Sequence, residues 1–412
     1  MKLGEFELHS ISDGDFWLDG GSMYGVVPKV LWNKLTPADG ENRIKLSLNC
    51  LLIKTPEKMV LVDTGLGDKF SKRLKAIYKT ERSRNVHTSL AALRIDPSDI
   101  DFVINTHLHF DHCGGNTIKE NGKYVPAFPN AKYIIQKDEW SNANQPNEKT
   151  TSSYRPDDFL PLEEAGQLQL IEGDYDVIPG IKTVVTRGHT LGHQSVLITS
   201  EGNHAFYLGD LIPMTYHLKI PYVTGFDLYP VELLDTKKGI LNRAVLEKWL
   251  LIFEHDPDIV FAHITKDAGV IKLVPVEDEN AKTQNPKNKQ ISKNRYSKSK
   301  SPDLEKRTIQ FAKDVIEFVK MIPKTVGNVE NTRQLVKSSG SVGANYVEAN
   351  EALSRKDFVM RIKICRKESK ESGYWLKLIE SGSQQAESKR QSLIDEATQL
   401  LKIFSSIVGK SK

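Results

Sequence analysis

The chain is poor in cysteine, has no long apolar run, and carries no histidine in its last third. Its 412 residues include only Cys50, Cys113 and Cys365, too few and too scattered for a disulfide framework. Cys113 reads as a small packing residue. No apolar stretch approaches the eighteen residues of a membrane span, and the opening Met1-Lys2-Leu3-Gly4-Glu5-Phe6-Glu7-Leu8 lacks the apolar core of a secretory signal. The expectation is a cytoplasmic protein with no membrane partner. All eleven histidines precede residue 264, so a metal site built on imidazole belongs to the earlier part of the chain. Neither charge dominates, with 57 Lys and Arg against 53 Asp and Glu.

The charge is nevertheless unevenly spread. Residues 1–276 hold 30 basic and 36 acidic side chains, whereas residues 303–412 hold 20 and 14. Between them, residues 277–302 lose apolar periodicity, and from Ala281 to Lys300 seven basic residues meet no acidic one. Such a stretch cannot bury enough apolar surface to offset its ordering entropy, which predicts a flexible basic linker. After Pro302 the spacing of Ile309, Ala312, Val315, Ile316 and Val319 is helical, ending before Pro323. Further helices are expected over about 329–353, 355–379 and 388–408. Four amphipathic helices with short connections predict an antiparallel bundle. Gly340 and Gly343 fall mid-helix, at about 1 kcal/mol each, which points to the close approach of another backbone.

The densest chemistry lies in Thr106-His107-Leu108-His109-Phe110-Asp111-His112-Cys113-Gly114-Gly115. It follows an apolar run, residues 100–105, that reads as a buried strand. Side chains two apart on an extended backbone share a face, so His107 and His109 can grip one cation. Asp111 and His112 follow in the turn, where they can face a second. Gly114 and Gly115 suit a tight backbone path. Downstream, His189 lies in Gly188-His189-Thr190 after a strand-like run, Asp210 ends the apolar run Ala205-Phe206-Tyr207-Leu208-Gly209, and His255 precedes Asp256-Pro257. Imidazole and carboxylate at the ends of separate strands form the ligand set of zinc.

These motifs, with Leu61-Val62-Asp63-Thr64-Gly65, resemble the metallo-β-lactamase superfamily of hydrolases over residues 1 to about 275. The resemblance implies an α+β chain: an αβ/βα sandwich with a two-metal site at one edge, followed by the all-α bundle. It implies that His107, His109 and His189 bind one metal, that Asp111, His112 and His255 bind the other, and that Asp210 bridges both. Two divalent ions, with Zn2+ expected, would be the cofactors, and Asp63 would orient the ligands. His263 is the competing last ligand; His255 is favoured because it ends its strand before a turn, whereas His263 sits inside a return strand. His193 reads as a hydrogen-bonding residue behind the ligands, and His9, His87, His204 and His217 as surface or packing histidines.

Two close cations can share a water and lower its pKa toward neutrality, giving a hydroxide nucleophile, while Asp111 or Asp210 moves a proton. Hydrolysis of an ester-like bond in a small molecule is the expected reaction. Gly20-Gly21-Ser22-Met23-Tyr24-Gly25-Val26-Val27-Pro28-Lys29 and Phe226-Asp227-Leu228-Tyr229-Pro230 resemble the N-acyl-homoserine lactonase and methyl-parathion-hydrolase branch, implying a lactone, ester or phosphotriester. Lactonases of this group often place a tyrosine shortly after the bridging aspartate; here Pro213 lies three residues on and Tyr216 six.

In the last part, Ser339-Gly340-Ser341-Val342-Gly343-Ala344-Asn345-Tyr346-Val347-Glu348-Ala349, with Ser354-Arg355-Lys356-Asp357-Phe358 and the segment around Tyr374-Trp375, resembles the four-helix-bundle family encoded in 23S rRNA intervening sequences. That family implies a homo-oligomer, expected to be a pentamer, and nucleic acid as a candidate partner. Two other readings stand beside the leading one: a metal-dependent nuclease fed by the bundle, and a binding or oligomerisation protein with an incidental hydrolase domain.

Overall fold

The computed structural model describes residues 1–267, 270–276, 304–350, 352 and 355–410. The chain divides into two compact units, Met1–Lys289 and Gln290–Lys412. The expected linker, 277–302, lies outside the described residues.

The first unit is built on two seven-stranded sheets. One has the order β1 (Lys2–Leu3), β2 (Phe6–Asp19), β3 (Arg43–Lys54), β4 (Met59–Val62), β5 (Phe102–Ile104), β8 (Lys132–Gln136) and β9 (Leu168–Ile171). A separate hairpin, β6 (Thr117–Glu120) and β7 (Lys123–Pro126), precedes β8 in the chain. The second sheet runs in chain order: β10 (Tyr175–Ile178), β11 (Ile181–Val185), β12 (Gln194–Ser200), β13 (Asn203–Tyr207), β14 (Leu250–Ile252), β15 (Phe261–Asp267) and β16 (Val270–Pro275). The accompanying helices are α1 (Gly20–Tyr24), α2 (Lys29–Trp32), α3 (Lys72–Ile77), α4 (Val86–Ala92), α5 (Phe110–Cys113), α6 (Lys137–Asn144), α7 (Pro156–Glu164) and α8 (Pro230–Leu246).

Alternation along the strands makes the layers. On β3, Leu51 and Ile53 face the second sheet, where they pack with Val196, Ile198 and Ile252, while Cys50 and Leu52 face α4 and α7 on the other side. On the second sheet, Phe206 and Leu251 turn outward against Leu233, Ile240 and Leu241 of α8. The result is helix, sheet, sheet, helix: the αβ/βα sandwich.

Strand direction places the site. Most pairings are antiparallel, but β4 runs parallel to β5, and β13 parallel to β14. Their carboxyl ends, where open α/β sheets collect ligands, carry Asp63, residues 105–112, Asp210 and residues 254–255. The Asp63 and histidine loops then meet backbone to backbone. A Cβ on Gly67 would lie 2.1 Å from the Gly114 carbonyl oxygen, and one on Gly115 would lie 2.2 Å from that of Thr64. Those glycines are there because nothing larger fits.

The second unit is a four-helix bundle: α9 (Leu304–Lys320), α10 (Val326–Asn350), α11 (Arg355–Leu378) and α12 (Gln384–Lys410). Its core takes Phe311, Val315 and Phe318 from α9 and Leu335, Val342 and Ala349, seven apart, from α10; α11 adds Ile362, Cys365 and Leu376, and α12 adds Leu393, Leu400 and Phe404. The neighbours run antiparallel: Asn328 near the start of α10 bonds the Glu380 carbonyl after α11, and Arg307 of α9 pairs with Glu396 of α12. α10 begins three residues earlier than its apolar spacing predicts, because the exposed Val326 and Gly327 extend its polar first turn. Of the two mid-helix glycines, Gly343 is buried with its Cα face toward Thr308, whereas Gly340 is exposed with nothing within 4 Å. Close approach within the chain therefore accounts for only one of them. No helix among the described residues is long and apolar enough to cross a membrane.

Gly67→Ala should lower the thermal midpoint of the first unit by an amount equivalent to about 2 kcal/mol or more, from strain at positive φ and backbone overlap. Gly40→Ala, where nothing lies within 4 Å, should stay within about 0.5 kcal/mol. Equal midpoints in calorimetry would refute the close-packed-loop account.

Candidate metal centre

The loop after β5 is held before any metal is considered. Thr106 donates its backbone N–H to Asp63 Oδ1 at 2.7 Å and its hydroxyl to Asp63 Oδ2 at 2.8 Å. Asn105 and Asn116 exchange side-chain amide bonds across the loop. Leu108 N–H donates to the buried Glu139 carboxylate at 2.9 Å, and Thr190 and Tyr154 hydroxyls donate to the same group. Glu139 thus ties the histidine loop to the loop that carries His189. Asp111 and His112 lie in α5, a single helical turn with His109 at its N-cap, rather than in the open turn the sequence suggests.

The side chains then converge. The ring centroids of His107, His109 and His189 lie 4.5, 4.7 and 4.9 Å apart. His189 Nε2 stands 3.1 Å from His109 Nδ1 and 3.2 Å from Asp210 Oδ2. The other Asp210 oxygen, Oδ1, lies 3.2 Å from His255 Nε2 and 3.6 Å from His112 Nε2. Asp111 completes this second group, 3.8 Å from His255 and 4.0 Å from His112. All seven sequence-derived candidates therefore share one cluster, with one Asp210 oxygen turned to each half. His263 is elsewhere on β15, its Nδ1 donating to the Trp249 carbonyl at 3.0 Å. His193 supports the centre from behind: its Nε2 accepts the Asp210 backbone N–H at 3.0 Å, while Nδ1 faces Thr186.

The electrostatics suit cation binding. Burial holds His107 and His109 well below the ordinary imidazole range, so they stay neutral with lone pairs available. Burial works against the charged form of His255 as well, but Asp210 outweighs it and lifts that imidazole to about 9. Asp210 is buried too, yet His189, His255 and His112 hold it well below the carboxylate range. Two buried polar atoms, His107 Nε2 and Asp210 Oδ1, have no hydrogen-bond partner in the protein. Orphaned lone pairs amid imidazoles and carboxylates are what a pair of divalent ions would satisfy.

Three supporting residues were not assigned from the sequence. Asp227 Oδ1 takes His189 Nδ1 at 2.8 Å, and its Oδ2 accepts the Thr224 N–H at 2.6 Å. Glu254 places Oε2 2.9 Å from His112 Nδ1, the same nitrogen that Asp63 reaches at 3.1 Å. One N–H cannot serve two anions, and burial with Asp63 nearby pushes Glu254 up to about 8. Its charge at the end of the apolar run 249–253 was a usable signal; Glu139, in an ordinary helix, offered none. Pro213 donates no hydrogen bond but its carbonyl accepts His255 N–H at 3.0 Å. Tyr216 packs in the apolar cluster with Tyr24 and Tyr222 rather than along the cleft.

The centre opens into a cleft of about 420 Å³. Trp17, Met23, Ile77, Tyr78, Phe110 and Phe226 form much of its wall, and His109, Asp111, His189, Asp210 and His255 reach it. Arg43 at the same cleft is neutralised by Asp39 and Glu41.

Residues 44–263 match the metallo-β-lactamase superfamily model. An N-acyl homoserine lactonase from Bacillus cereus is 32% identical over 237 residues, spanning 54% of this chain and 85% of that protein. The chain belongs to the metallo-β-lactamase superfamily. A solved Staphylococcus aureus protein, described as a probable metal-dependent hydrolase, superposes with a TM-score of 0.63 at 31% identity, over 68% of this chain and 99% of that one. The dizinc quorum-quenching lactonase AidC shares the fold at 22% identity and a TM-score of 0.56, over 68% of this chain and 97% of that one. Residues 301–406 match the model of the 23S rRNA-intervening sequence protein family.

Asp227→Asn should lower zinc affinity about 10- to 100-fold by releasing His189, as loss of an outer partner does. Competition with a chromophoric chelator measures it, and an unchanged constant would remove Asp227 from that role.

Proposed function

We propose that the first unit is a two-metal hydrolase that opens lactones or cleaves related neutral esters, including phosphotriesters. The observation that carries this reading is the single buried cluster of seven candidate ligands opening into an apolar cleft. His107, His109 and His189 would hold one Zn2+, and Asp111, His112 and His255 the other, with Asp210 between them. The bound ions would supply an activated water and polarise the ester oxygen. Asp111 and Asp210 are the carboxylates placed to accept the water's proton and return it to the leaving alkoxide. His193 fixes Asp210 through its backbone, and Asp227 fixes His189. The apolar walls bind an acyl or aryl group, leaving the ester at the metals.

The lactonase relatives support the substrate class, and the cleft favours it over RNA. A polyanion would meet an acidic first unit and a cleft whose arginine is already paired. We propose for the second unit a homo-oligomerising role through the bundle, with nucleic acid as a competing partner.

Zinc-grown protein should contain near-stoichiometric metal, two ions per chain, and hydrolyse members of a panel of N-acyl homoserine lactones, aryl esters and phosphotriesters. His255→Ala should lose one ion and most turnover, while His263→Ala keeps both. Folded protein with trace metal would overturn the metal assignment. RNA cleavage with no ester turnover would overturn the substrate assignment. Light scattering on the bundle expressed alone should show a multimer; a monomer would end the oligomerisation proposal.

A further inference from the structure

Lys237 on α8 has no exposed surface, an unusual place for an ammonium. Its Nζ donates to three backbone carbonyls, those of Lys219 at 2.8 Å, Ile220 at 3.4 Å and Tyr222 at 2.8 Å. The turn is further closed by the Tyr222 N–H on the Lys219 carbonyl. An ammonium has three N–H groups, and here each meets one carbonyl of the same short turn.

The chain leaving that turn builds one side of the active centre. Thr224 and Phe226 line the cleft. Gly225 N–H donates to the Ser22 carbonyl of α1 at 2.7 Å. Asp227 holds His189 through Nδ1, and Leu228 N–H donates to the His189 carbonyl at 3.0 Å. Lys237 makes no ion pair among the described residues, so its donors are committed to the turn.

We propose that Lys237 is a positioning residue, whose ammonium anchors the 219–222 turn and thereby sets the cleft wall at Thr224 and Phe226 and the Asp227 grip on His189. An apolar side chain of the same length would fill the volume but leave three carbonyls without donors, loosening the strap while the sandwich stays folded. Burial pushes Lys237 down to about 7, opposed by Asp227. The other ionisable group facing it is the buried His217, itself held down to about 4 chiefly by burial. Because burial lowers the pKa in the closed turn below its value in an opened one, the opened turn binds more protons, and opening becomes less favourable as pH rises through neutrality.

Hydrogen exchange on the zinc-loaded full chain tests this without any substrate. In Lys237→Met, amides of residues 219–229 should exchange about tenfold faster or more, while those of β12 are unchanged. In the wild type, exchange corrected for its intrinsic pH dependence should slow in the same segment between pH 6 and 8.5, as burial of Lys237 in the closed turn requires, a comparison that stands even if the variant fails to fold. Unchanged protection at 219–229, or acceleration spread evenly over the first unit, would overturn the proposal. The kinetic consequence rests on the hydrolase reading: KM for a lactone substrate should rise about tenfold in Lys237→Met at unchanged metal content. A protein inert toward every ester but showing the local exchange change would sink the hydrolase reading and leave the positioning role standing.

Discussion

The centre depends on one carboxylate that touches no substrate. Asp63 leaves β4 with φ of 55°, a left-handed conformation that aspartate tolerates better than most residues. There its two oxygens take the backbone and hydroxyl of Thr106 and stand beside His112 Nδ1. Parallel pairing of β4 with β5 brings the two strand ends side by side, so the contact is short and wholly buried. Without it, the first three residues after β5 would have no fixed direction, and the spacing of His107, His109 and His112 would define a composition rather than a geometry. Strain of this kind persists where surrounding bonds over-determine it.

A second layer of buried ionic groups carries the same logic outward. Asp13 accepts the N–H groups of Leu66, Gly67 and Val86 and pairs with Arg82, fixing the loop that follows Asp63. Lys69, from that loop, pairs with Asp158 of α7. Glu139 links the histidine loop to Thr190, and Lys237 links α8 to the strap behind His189. Buried ion pairs are weak sources of net stability because desolvation offsets attraction. Their yield is directional: each fixes a backbone segment that apolar packing alone would leave free to slide.

Much of this was legible in the sequence, for identifiable reasons. Metal-capable residues are rare enough that four in six positions, His107, His109, Asp111 and His112, stand out, and strand-end placement identified His189, Asp210 and His255 as members of one cluster. The helical spacing of Ile309, Ala312, Val315, Ile316 and Val319 exposes the bundle, whereas the sandwich was implied by the resemblance that the ligand motifs and Leu61-Val62-Asp63-Thr64-Gly65 carry. The supporting residues were harder because their role depends on contacts between separate segments, 31 positions apart for Leu108 and Glu139 and 38 for His189 and Asp227. A lone Glu139, Asp227 or Lys237 in a helix or loop is, by sequence, an ordinary surface charge. Only the fold shows that each is buried and what it holds.

The same distribution of charge bears on substrate choice. Around the histidines lie several buried carboxylates, Asp63, Asp111, Asp210, Asp227 and Glu254 among them. Divalent ions would neutralise the inner ones, and Glu254, pushed upward by burial, can keep its proton beside Asp63. The mouth beyond is apolar, with Arg43 spent on Asp39 and Glu41. A phosphodiester entering this cleft would give up its hydration to meet an arginine already paired with two carboxylates, whereas a neutral acyl lactone would lose little water and bury its chain against Trp17, Ile77 and Phe110. Charge would develop on such a substrate only as its bond breaks, beside the residues that would hold the metals.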